Sequence, residues 1–153
     1  MKKLALLLVA TAALAVVGGA VSTGAARGED ASGGIVVPFQ KHIVDPANFG
    51  FQGTTGGPAS GTLVSMIVGP LDASSPVWHF TFKWVVTADN THKSFVALTD
   101  GSLDTTTGSV VMDGSVVQGW HLGARVHEEG QLVDPATLTF AGNILILPGQ
   151  GND

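Results

Sequence analysis

Residues 77–86 read VWHFTFKWVV, with an aromatic side chain at every second position: Trp78, Phe80, Phe82 and Trp84. Between them stand His79, Thr81 and Lys83. Successive side chains of a β-strand point to opposite faces, so this stretch predicts a strand with one aromatic face and one polar face. The aromatic face is expected to look inward, with His79 and Lys83 toward water. Because an indole N–H needs a partner, Trp78 and Trp84 are expected near the ends of the fold.

The surrounding chain has the same character. From Ile35 onward, β-like runs are punctuated by Gly, Pro, Asp and Asn, and no apolar period of helical length occurs. Strands are expected near 34–39, 60–69, 77–88, 94–103, 108–119, 121–128 and 136–147, with a weaker candidate at 48–53. Turns are expected at GPLDASSP (69–76), ADNTHK (88–93), GSLDTTTG (101–108) and EGQLVDP (129–135). With no helix to cover a sheet, these strands must close on themselves or pair into a sandwich.

Two features favour closure. Several strands run well beyond the usual five or six residues. They also carry glycines at 114, 119, 123 and 142, where bulges and bends let long strands coil. MDGS (112–115) has the Asp-Gly of a tight hairpin, yet its short flanks favour one continuous bulged strand. The expected fold is all-β, a single antiparallel β-barrel of seven or eight long, bulged strands. An eight-stranded barrel is either filled by side chains or just roomy enough for one small ligand.

The first residues read differently. Lys2 and Lys3 precede an uninterrupted apolar stretch from Leu4 to Val17, followed by small residues. This is the layout of a secretory signal peptide, with cleavage expected after Ala26 or Ala20. The apolar stretch is shorter than a membrane span requires, so no stable membrane anchor is expected after cleavage. The expected organisation is a signal peptide at 1–26, a polar leader at 27–34, the barrel at 35–148 and a tail at 149–153. The localisation expected is secreted or periplasmic. The 127 residues left after cleavage can bury a core without disulfides, in keeping with the absence of cysteine. Without Lys2 and Lys3, five basic residues stand against twelve acidic ones, taking the net charge from −5 to −7. No basic stripe remains to suit nucleic acid.

The stretch TGSVVMDGSVVQGWHLGARVHEEGQ (107–131), followed by LTFAGNILIL (138–147), resembles small exported bacterial proteins. More distantly, the glycine-punctuated long strands over roughly residues 50–147 are similar to the allene oxide cyclase and dirigent barrels. That resemblance implies an eight-stranded barrel with an apolar central cavity, often in a homo-oligomer. The catalytic polar residues of those families find no matching positions here, so their activity does not transfer.

Few motifs carry chemistry. Trp78, Phe80, Phe82, Trp84 and Trp120 are the candidate ligand-binding residues, as an apolar wall; the competing reading is plain core packing. His79 and Lys83 lie too far apart along one strand to form a tight pair. In HLGARVHEEG (121–130), alternation places His121, Arg125, His127 and Glu129 on one face and Leu122, Ala124, Val126 and Glu128 on the other. Arg125 would suit a carboxylate and a histidine of that face a proton shuttle, while the bland alternative is a half-exposed strand. Arg125, His127, His79 and Lys83 are thus the candidate catalytic residues.

Absences narrow the field further. There is no zinc-protease pattern after His127, no GxSxG elbow and no phosphate loop in GTTGGPASGT (53–62), which reads as a flexible hairpin entrance or lid at the barrel mouth. Asp100, Asp104 and Asp113 read as turn and bulge residues rather than calcium ligands. No metal and no cofactor are expected, and the chain has no tyrosine to serve as a phenolic acid. The reading is an exported barrel that binds a small apolar molecule non-covalently. The alternatives are a cofactor-free cyclase or isomerase, and a structural or protein-interaction module.

Overall fold

In the computed structural model, which describes residues 33–147, eight strands close into one antiparallel barrel. They are β1 (Ile35–Asp45), β2 (Gly50–Thr55), β3 (Gly61–Ile67), β4 (Val77–Ala88), β5 (Phe95–Asp104), β6 (Ser109–Gly119), β7 (Arg125–Asp134) and β8 (Thr139–Leu147). Each strand pairs with its sequence neighbours, and β8 returns to β1 with Ile35 opposite Ile146 and Lys41 opposite Phe140. Closure leaves no sheet edge with unpaired backbone groups. The signal-peptide and tail assignments lie outside the described residues, as does most of the leader.

Alternation decides what fills the barrel. Val37, Phe39 and Lys41 of β1, Leu63 and Ser65 of β3, and Ala97 and Thr99 of β5 all point inward and are buried. β4 supplies the largest share: Phe80, Phe82, Trp84 and Val86 are all buried, while His79, Lys83 and Thr87 are exposed. The aromatic face of VWHFTFKWVV is therefore the inner face of a barrel stave.

Consecutive antiparallel order sorts the connections onto two ends. The β1–β2, β3–β4, β5–β6 and β7–β8 connections share one end, the mouth. At the other end lie a short 3-10 turn at Gly57–Ala59, another at Thr91–Lys93, and the β6–β7 turn. Three mouth hairpins use one device. Asp45, Asp104 and Asp134 each end a strand, and each Oδ1 accepts a backbone N–H two residues on: Ala47, Thr106 and Ala136. Four residues after each aspartate the chain enters the left-handed region, at Phe49 (φ 49°), Gly108 (φ 74°) and Leu138 (φ 47°). Hydrogen bonds, first from the side chains of Asn48, Thr106 and Thr137, hold the three carboxyls below their ordinary range.

Several expectations are corrected. β1 runs on to Asp45 rather than stopping at residue 39, because alternation persists through Lys41. EGQLVDP is not a turn: β7 spans Arg125–Asp134, and Gly130 serves packing, since a Cβ there would lie 3.1 Å from the Phe39 ring. His121 consequently sits in the β6–β7 turn (φ 55°) instead of on a strand face. MDGS does continue through β6, but the register shift falls opposite Val96 and Ala97, not at Asp113–Gly114. Asp100 and Asp113 are outward mid-strand residues, and only Asp104 is a turn residue. GTTGGPASGT closes the end opposite the mouth, tied down by Thr55 Oγ1 donating to the Ala59 carbonyl at 2.6 Å.

Candidate functional site

Behind the mouth lies a partly open cavity of about 40 Å³. Phe80, Met112 and Phe140 form its walls, and Phe51, Phe82 and Lys41 its floor. Half-buried Phe49, Ile67, Leu71, Trp78 and Leu103 rim it. Lys41 is its single polar lining side chain among the described residues. The volume suits about one water molecule, so a larger occupant requires the rim to give way. The rim rings are in edge contact, Phe49 and Trp78 with centroids 6.1 Å apart at 81°. Deeper in, Phe80 meets Phe82 at 5.0 Å and 77°, and Phe51 meets Phe140 at 5.9 Å and 78°.

The floor carries a charge pair. Lys41 Nζ donates to Glu128 Oε1 at 2.8 Å and to Oε2 at 3.1 Å, with both side chains essentially out of water. β1 and β7 reach it from the two sides of β8. The ammonium also lies over the rings of Phe39, Phe51, Phe82 and Trp84, 4.9 to 5.9 Å from their centroids. A lysine in such a place is held by one carboxylate and a cage of aromatic quadrupoles. Burial pushes the Glu128 carboxyl above its ordinary range, and the Lys41 ammonium pulls it partly back. Nearby on the inner wall, Ser65 Oγ and Trp84 Nε1 are buried with no protein hydrogen-bond partner. Ser65 and Trp84 stand opposite each other in the β3–β4 register.

The sequence candidates divide between the two faces of the barrel. Trp78, Phe80 and Phe82 line the cavity. Trp84 does not: it is fully buried below Lys41, away from the end where its N–H was expected to find a partner. Trp120 belongs to the opposite end, tilted at 48° against His121 and under the Lys93 ammonium at 5.5 Å. His79, Lys83, Arg125 and His127 are all on the outer face. His79 borders a shallow outer depression of about 550 Å³ with Asp72, Asp100 and Asp113. His127 sits between Asp113 and Glu129, with Nδ1 2.8 Å from Asp113 Oδ1 and Nε2 3.2 Å from Glu129 Oε1. The Asp113 hydrogen bond raises the His127 pKa; partial burial opposes it, and the Glu129 hydrogen bond adds to the rise. No group of three or more His, Asp or Glu side chains among the described residues is placed to hold a metal ion.

Lys41 and Glu128 are thus the residues that the sequence reading passed over. Alternation from Val37 through Phe39 points Lys41 inward, and Glu128 already fell on the apolar face of its strand. No family model matches this chain, and no curated protein or solved structure resembles it at a significant level.

Proposed function

We propose that the protein is an exported barrel that binds a small, mainly apolar molecule at the mouth of its lumen. The observation that carries this reading is the apolar chamber behind Phe49 and Trp78, lined by aromatic and aliphatic side chains and by the stem of Lys41. Binding sites for small molecules are likewise concave and predominantly apolar. The half-buried rim supplies the adjustable part, since Phe49 and Trp78 belong to a turn and a strand end rather than to the packed centre.

The test is a titration of purified protein with terpenes, fatty acids and simple aromatics, following tryptophan fluorescence, alongside native mass spectrometry for co-purified molecules and subunit count. Binding should perturb Trp78 emission and vanish in Phe80→Lys, whose longer side chain projects into the chamber. Silence across the whole panel would refute the reading. An intact mass that begins after Ala26 or Ala20 would establish export and cleavage.

A second reading has its own support. A cofactor-free cyclase or isomerase needs a buried polar group beside its aromatic walls, and the Lys41–Glu128 pair supplies one. Recovery of a bound molecule in altered form after incubation separates catalysis from binding.

A further inference from the structure

The connections around the mouth are not held alike. Thr105 of the β5–β6 connection donates its N–H and its hydroxyl to the Pro76 carbonyl of the β3–β4 connection, at 2.9 and 2.8 Å. On its other side the β5–β6 connection accepts Gln131 Nε2 at the Thr107 carbonyl and the Leu132 N–H at the Gly108 carbonyl. The β3–β4 connection is also closed within itself, where Asp72 and His79 exchange two backbone hydrogen bonds of 2.9 Å. These bonds fasten the rim from β3 round to β7.

The β1–β2 hairpin stands outside that course. β1 pairs with β8 only as far as Lys41, opposite Phe140, and β2 pairs with β3 only as far as Phe51, opposite Ser65. Beyond those positions the hairpin has ladder partners only within itself, Ile43 opposite Phe51 and Asp45 opposite Gly50. The side-chain hydrogen bonds of its tip are internal too, from Ala47 and Asn48 to the Asp45 carboxylate. What holds the tip down is apolar: Phe49 packs on the core and meets the Trp78 ring edge-on. Its base is anchored, since Lys41 is bound to Glu128 of β7. Above that anchor the register shift between Ile43 and Asp45 interrupts the ladder at Val44, and a strand bends most readily at such a bulge. The β7–β8 turn projects as well, but its Leu138 does not line the chamber, whereas Phe49 does.

We infer that residues 44–50 form a lid on the chamber, hinged at the Val44 bulge and latched by Phe49 against Trp78. An apolar molecule enters between this lid and the fixed β3–β4 connection. Opening separates two rings, leaves every β1–β8 and β2–β3 ladder pair in place, and releases Phe49 from its φ of 49°. The inference rests on the lumen being a binding site, and it names the way in.

The chain has no cysteine, so a single thiol placed in the chamber wall reports opening. In Met112→Cys, labelling by methyl methanethiosulfonate, a small neutral reagent, should proceed through the open lid. It should run roughly a hundredfold or more faster than in Ala97→Cys, at a comparably buried site off the chamber. Val110→Cys, also on the chamber wall, replaces the first reporter if that variant does not fold. Adding Trp78→Leu should speed chamber labelling about fivefold, the effect of one aromatic edge contact, and so should Phe49→Ala. The two together should do little more than either alone, because both remove the same contact. Thr105→Val, which loosens the fixed side instead, should leave the rate within about twofold.

Equal labelling at positions 112 and 97 overturns the lid. So do effects of Trp78→Leu and Phe49→Ala that multiply, or a Thr105→Val effect as large as theirs. Cyclohexane tests the binding reading separately, since an occupied chamber should slow labelling of Met112→Cys. Absence of that protection, with the other rates as expected, overturns binding in the lumen and leaves the lid standing; protection without the expected rates does the reverse.

Discussion

Replacing Lys41 with Met is the sharpest test of how this barrel is held together. In the native protein the Glu128 carboxylate is fully buried and receives both its hydrogen bonds from Lys41 Nζ. Methionine fills a similar volume and keeps the contacts to Phe39 and Phe82, so the loss falls on Glu128. A buried carboxylate deprived of its partner costs about 3–5 kcal/mol, a large fraction of the roughly 5–15 kcal/mol that stabilises a domain of this size.

The loss should depend on pH, and its sign follows from burial. Burial already raises the Glu128 pKa, and removing the Lys41 ammonium removes the influence that lowers it. The folded pKa then lies above the unfolded one, so the folded state of the variant retains a proton that the unfolded state releases. Stability is greatest below the unfolded pKa of about 4.5 and falls as pH rises toward the folded pKa. Urea unfolding followed by tryptophan fluorescence at pH 4.5, 6 and 8 should show Lys41→Met losing most at pH 8. Lys41→Met/Glu128→Leu should return to within about 1 kcal/mol of wild type at pH 8, or exceed it, because a well-packed apolar replacement spares both desolvation penalties. A single-variant loss below about 1 kcal/mol at pH 8, or one equal at all three pH values, would refute the assignment of Glu128 as a buried group dependent on Lys41.

Three further outcomes are expected. Phe49→Gly relieves a non-glycine residue at φ 49° and removes a rim ring, so stability should change by less than about 1 kcal/mol while apolar probes enter faster, as read by stopped-flow fluorescence. Gly142→Ala should destabilise by about 3 kcal/mol or prevent folding, since its Cβ would fall on the Glu129 carbonyl of the paired strand; normal denaturant stability would contradict so tight an approach of β7 to β8. His127 should titrate above its ordinary range in NMR, and Asp113→Asn should lower that pKa. Its contribution to stability is full below the unfolded histidine pKa and disappears as pH rises through the folded one.

How much of this was legible in the sequence follows from what each signal measures. Period-two alternation is local and strong in β4, so the orientation of Trp78, Phe80, Phe82 and Trp84 could be read directly. Closure was legible from strand length and the lack of helices. The boundaries of β1 and β7 were not, because a glycine looks the same in sequence whether it turns the chain or makes room for a neighbour. Gly130 does the latter, beside Phe39 and opposite Gly142. The Lys41–Glu128 pair was hidden for a different reason. Each charge, viewed alone, resembles an exposed residue that ends an apolar run, and only register brings 41 and 128 together across 87 positions. Trp84 shows the same limit: its indole was expected to seek a polar partner at an end, whereas an ammonium from another strand lies near its face.

The departures from local rules in this barrel gather toward one end, and their placement is itself an argument about function. Phe49 and Leu138 occupy left-handed positions that Gly108 fills without strain in the equivalent hairpin. Each costs about 1–2 kcal/mol relative to a relaxed backbone, and each brings a large apolar side chain against the core. Lys41 and Glu128 add a buried ion pair where two apolar residues would satisfy packing more cheaply. A barrel selected for stability alone has simpler solutions at each of these positions. Strained backbone and buried charge persist where the surrounding structure is put to use. Here both adjoin the chamber, the strained Phe49 at its rim and the charge pair at its floor. The other non-glycine residue at positive φ, His121, lies at the far end on a residue type that tolerates that conformation better. The mouth of the lumen, with the strained Phe49 at its rim and the Lys41–Glu128 pair beneath its apolar lining, is accordingly where function is to be sought.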